Sequence, residues 1–164
     1  MISFLRIERF VFGLSEKLNW VAAASLAFIM LLTVADVFLR LFGRPIPGTY
    51  ELIGFVGSMI ISFALPYTSV QKGHIAVEFL IQKLPWLARV IFNIINAFIS
   101  MVLFGVIAWQ AVLYGRDLKA AGEVSLTLQI KTYPFVYGVA AGCAMLSLVL
   151  LIELLRQFRG AEIE

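Results

Sequence analysis

Charge is scarce in this sequence. Only 14% of the 164 residues are Asp, Glu, Lys or Arg, where a soluble domain carries roughly 25%. That deficit excludes a chain whose whole surface faces water. Histidine occurs once, at His74, and cysteine once, at Cys143. One histidine excludes a four-helix haem protein with two histidine ligands. One cysteine excludes a disulfide framework and a cysteine metal site. There is no GxxxxGK[ST] loop, so the chain does not hydrolyse ATP through that motif. No serine, cysteine or carboxylate pair stands in a catalytic arrangement, so we expect neither an enzyme nor a cofactor. No basic cluster is interleaved with aromatics. The net charge of +3 reflects flanking Lys and Arg, and nucleic acid is not an expected partner.

What is present is long stretches of apolar sequence. Hydrophobic residues make up 62% of the chain, and charge-free runs extend over Leu18–Ala35, Leu52–Val70, Val90–Gly115 and Thr132–Ile152. A helix needs about 20 apolar residues to cross a hydrocarbon core of roughly 30 Å, and buried helices of soluble proteins have shorter runs. In lipid the backbone must satisfy its own hydrogen bonds, and the runs lack the alternation of barrel strands. The expected fold is an all-α membrane protein of one domain spanning 1–164, with membrane lipids around four transmembrane helices at 18–40, 50–71, 87–114 and 132–155.

The first seventeen residues read as an amphipathic helix. Phe4, Ile7, Val11, Leu14 and Leu18 share one face at helical spacing, and Arg6, Arg9, Gly13, Glu16 and Lys17 share the other. Such a segment suits the headgroup region, lying flat. The plainer alternative is an extension of the first helix into water. A signal peptide does not fit, because the apolar run is too long and no small-residue cleavage site closes it. With four spans both termini share one side. That side carries eight Lys and Arg residues against five on the other, which points to cytoplasmic termini.

Polar residues near the membrane need a reason. Asp36 and Arg40 are four apart at the end of the first helix, acid before base, and suit pairing. Glu51 opens the second helix after the turn Gly43-Arg44-Pro45-Ile46-Pro47-Gly48, where a carboxylate suits the helix dipole. With Arg40 or Arg44 reaching Glu51, this trio would fix the 1–2 corner or dock a partner. His74 would hydrogen-bond within the second loop, across the membrane from them, beside an apolar segment that Pro85 ends. Gly54, Ser58 and Ser62 put a small residue at every fourth position of helix two, and Gly138 with Gly142 forms a GxxxG in helix four. Both let backbones approach closely. Asn93, Asn96 and Ser100 share a face of helix three, a seam for interhelical hydrogen bonds. No charge lies mid-span, and Pro66 and Pro134 fall near helix ends. A self-sufficient ion-coupled carrier would show helices interrupted at mid-membrane, so a supporting subunit is expected.

Asp36-Val37-Phe38-Leu39-Arg40, then Gly43-Arg44-Pro45 and Pro47 with Glu51, then Leu65-Pro66-Tyr67, then Lys72-Gly73-His74-Ile75-Ala76-Val77-Glu78 form a pattern. It resembles the small membrane subunit of tripartite ATP-independent periplasmic (TRAP) transporters, from about residue 15 to 155. The resemblance implies a bacterial inner-membrane protein without substrate, ion or metal site of its own. Its partners would be a large membrane subunit, which carries sodium and substrate inward, and a periplasmic binding protein. That protein captures an organic acid such as a dicarboxylate, keto acid or sialic acid. The small subunit would serve as scaffold. Asp36, Arg40, Arg44, Glu51, His74, Gly54, Ser58, Gly138 and Gly142 are the candidate anchors or interface residues. A small subunit of the tripartite tricarboxylate class, or of another secondary carrier, is the alternative.

Overall fold

The computed structural model describes residues 2–71 and 86–161. Four helices carry nearly all of them: α1 (Ile2–Leu41), α2 (Thr49–Val70), α3 (Trp86–Ala121) and α4 (Tyr133–Ala161). Each contains a stretch long and apolar enough to cross a membrane, at Glu8–Leu41, Thr49–Val70, Val90–Ala121 and Tyr133–Arg156. Among the described residues the only strand-like pairing is an isolated bridge between Val124 and Lys131.

Glycine sets where two of these helices stop. Gly43 (φ 69°) and Gly122 (φ 66°) adopt the left-handed conformation, which costs glycine little. Behind them Arg44 N donates to Leu39 O at 3.0 Å and Glu123 N to Leu118 O at 3.1 Å. These are the six-to-one bonds of a Schellman ending, and they satisfy carbonyls that a helix terminus otherwise leaves bare.

The helices form a row instead of a closed bundle. α1 packs on α2, α2 on α4 and α4 on α3, leaving α1 and α3 at the two ends. α4 is therefore the most buried, with Ala140, Cys143, Leu146, Val149 and Leu154 in the core. In water such a row would leave intolerable apolar area exposed. In a membrane, lipid or another membrane protein covers it at no hydrophobic cost.

Two expectations change here. The first concerns the N-terminus: α1 runs unbroken from Ile2 to Leu41, so the flat helix over 1–17 gives way to an extended first helix. At 1.5 Å per residue it is about 60 Å long, twice the hydrocarbon core. Its early turns are held by protein. Val11 packs against Met145, Val149 and Ile152 of α4, Ser15 is fully buried, and Arg156 pairs with Glu8 at 3.2 Å.

The second change concerns α3. Its packed face is made of Ala97, Ala108 and Leu118, together with Gly105, near the Ser147 hydroxyl, and Gly115, against the Tyr137 ring. The hydrogen bond between α3 and α4 runs from Ser147 Oγ to Met101 O at 3.0 Å. Among the described residues, no hydrogen bond from the Asn93, Asn96 or Ser100 side chains joins the helices, and Asn96 is exposed.

Candidate interaction site at the helix corners

The turn between α1 and α2 is built around Asp36. Its side chain is buried, and its carboxylate accepts from Arg40 Nε at 2.7 Å and from Ile46 N at 2.8 Å. One acid thus holds both the last turn of α1 and the loop that follows. Thr49 Oγ1 donates to Ile46 O at 3.0 Å and secures the same loop from the α2 side. Arg40 remains partly exposed and lies over the Tyr50 ring, 5.1 Å from its centroid, within cation–π range.

Glu51 binds a different loop. Its Oε1 accepts Thr127 N at 2.8 Å and its Oε2 accepts Leu128 N at 3.2 Å. The expected contact from Arg40 or Arg44 is replaced, since both carboxylate oxygens face backbone donors of the α3–α4 loop. That loop turns back on itself: Ser125 N donates to Ile130 O at 2.9 Å and Gln129 N to Ser125 O at 3.2 Å. The side chain of Leu128 then lies over Gly48, so close that a Cβ there would come within 2.2 Å of it. Gly48 has φ 75°, so both its conformation and its neighbour require glycine. The two helical hairpins are thereby joined at one end through Glu51 and the Leu128–Gly48 contact.

The small residues divide. A Cβ on Gly142 would lie 2.5 Å from Ser62 O, and one on Gly138 would lie 2.7 Å from Met59 Cε. At these positions α2 and α4 approach closely. Ser62 O also lacks its usual helical donor, because residue 66 is proline. A Cβ on Gly54 would meet nothing within 4 Å, and Ser58 is exposed, its hydroxyl donating to Phe55 O at 2.8 Å. These two therefore lie on an uncovered face of α2. Arg44 is exposed, and His74 lies outside the described residues. The role of the α3–α4 loop escaped sequence reasoning. Its one local signal was Gly122, a helix-ending glycine.

The row of four apolar helices, stapled at the turns, is a membrane architecture. A family model described as "Tripartite ATP-independent periplasmic transporters, DctQ component" matches residues 29–160. The chain belongs to this family. It is a small membrane subunit of a TRAP transporter, a multi-pass protein of the bacterial inner membrane. The family works with a large membrane subunit and a periplasmic binding protein. No curated protein and no solved structure matches the chain. The family match covers the corner residues Asp36, Arg40 and Glu51 and the α2–α4 glycine contact, but begins after the early turns of α1.

Proposed function

We propose that this small TRAP subunit is the static scaffold of a sodium-coupled uptake system for an organic acid such as a dicarboxylate, keto acid or sialic acid. The observation that carries the reading is the open row of helices. α1 and α3 expose large apolar side chains along most of their length, among them Trp20, Leu31 and Phe38 on α1 and Ile99, Val102 and Val106 on α3. A broad apolar flank fits a subunit that sits beside a larger membrane protein. The stapled turns suit a part that stays still while another moves. Both termini lie in the cytoplasm by the balance of Lys and Arg, which puts Asp36, Glu51 and the α3–α4 loop on the periplasmic side. Substrate and sodium then belong to the large subunit.

The test is reconstitution. Proteoliposomes holding this chain and its large subunit, supplied with binding protein, should take up substrate along a sodium gradient. Liposomes holding this chain alone should take up none. Uptake by this chain alone removes the scaffold reading.

A further inference from the structure

On α3, Asn93, Asn96, Ser100, Leu103, Ile107, Gln110 and Tyr114 recur at alternating intervals of three and four. That is the spacing of a seam against a neighbouring helix. A second such seam, through Ala97, Ala108 and Leu118, is already filled by α4. The first seam is open: Asn96 and Gln110 are exposed, as are Leu103, Ile107 and Tyr114. It is rotated about a quarter turn from the α4 contact, at 100° per residue, so it belongs to a broad face of the row and not to its outer edge.

The amides say what should cover it. Elsewhere in the spans, the exposed hydroxyls of Thr33, Ser58 and Thr68 bond to carbonyls of their own helices, so lipid can surround them. Among the described residues, the side chains of Asn96 and Gln110 have no hydrogen-bond partner. Asn96 lies about 9 Å along the helix from Val90, where the charge-free run starts, and Gln110 about 9 Å from Arg116, the first charge after it. Hydrocarbon offers an amide nothing, whereas a polar side chain on a facing helix completes it. We propose that this seam of α3 receives a transmembrane helix of the large subunit, with apolar packing at Leu103 and Ile107 between polar contacts at Asn96 and Gln110. The inference rests on the scaffold reading.

The experiment begins with the unaltered chain co-expressed with its large subunit. If no complex forms, the scaffold reading fails, and the seam with it. Given a complex, Leu103→Cys on the seam and Val106→Cys on the outer edge are each made in a Cys143→Ala background and labelled with benzophenone-maleimide. Illumination should join the large subunit to the chain from position 103 and not from 106. Separately, Asn96→Leu with Gln110→Leu should weaken the complex by about three- to twentyfold per amide, while Asn96→Gln preserves it. Because leucine suits lipid, the leucine variants should insert normally on their own. Capture of a second copy of this chain from position 103, or of lipid alone, overturns the proposal even where the complex is intact. So does a complex that the leucine variants leave unchanged.

Discussion

Gly142 of α4 lies against the carbonyl of Ser62 on α2, with no room for a Cβ between them. The obstacle there is backbone, which cannot rotate aside as a side chain does. Gly142→Ala should therefore force α2 and α4 apart and destabilise the subunit by about 1–3 kcal/mol, the usual cost of overpacking. Gly138→Ala meets the flexible end of Met59 and should be near neutral, because alanine also favours the helix. Thermal unfolding of the two variants in detergent separates these cases. Equal loss of stability would mean that Met59 cannot move.

The second prediction concerns the link from Glu51 to the α3–α4 loop. Hydrogen exchange at the amides of Thr127 and Leu128 should be slow in the native subunit, since both are donated to the carboxylate. Glu51→Ala should speed both by roughly tenfold or more, the effect of losing a charge-assisted bond. The amides of Ser125 and Gln129, bonded within the loop, should change less. Uniformly faster exchange across the loop would instead show that Glu51 nucleates the whole turn.

Much of this architecture was legible because lipid imposes one strong rule. A charge-free run long enough to cross the core must be helical, and four runs gave four helices. The Asp36–Arg40 pair was legible for a similar reason, since it lies within one helix and spacing alone sets it. Glu51 was legible as a corner residue but not in its partner. Thr127 and Leu128 lie some 76 residues away, and what Glu51 binds is backbone, which no residue type announces. The N-terminal segment misled for another reason. Its amphipathic pattern suits an interface, but Val11 packs on α4, and a face that packs on a helix reads like one that packs on lipid. Asn96 was recognised as a seam residue, yet the sequence could not show that the seam opens away from this chain.

The third prediction concerns α3, whose charge-free run extends from Val90 to Gly115. At 1.5 Å per residue those residues cover about 39 Å, beyond a core of roughly 30 Å. Tyr114 is exposed and suits the aromatic belt, which takes up part of the excess. Tilting should take up the rest. Spin labels along α3 in nanodiscs should give depths that rise by clearly less than 1.5 Å per residue. An upright α3 with its last turns in water would contradict this.

The last prediction separates an anchor from an ion site at the α1–α2 turn. Asp36 and Arg40 could in principle bind a sodium ion or a partner, but the geometry favours internal work. One Asp36 oxygen accepts Arg40 Nε and the other accepts Ile46 N. A carboxylate with a guanidinium beside it is a poor cation ligand, because the site is already neutralised. Arg40 is further held over Tyr50. Removing the guanidinium should leave Asp36 buried without its counter-charge and loosen the loop at Ile46. Arg40→Ala should then reduce the yield of assembled complex on a sizing column several-fold, while Arg40→Lys, which restores charge but not the Nε bond, should recover only part of it. Substrate affinity of the binding protein should stay unchanged in both, since this turn holds no substrate group. Sodium dependence of the residual uptake should also keep its native midpoint. Full assembly of Arg40→Ala with a shifted sodium midpoint would reverse the assignment and make Asp36 an ion ligand.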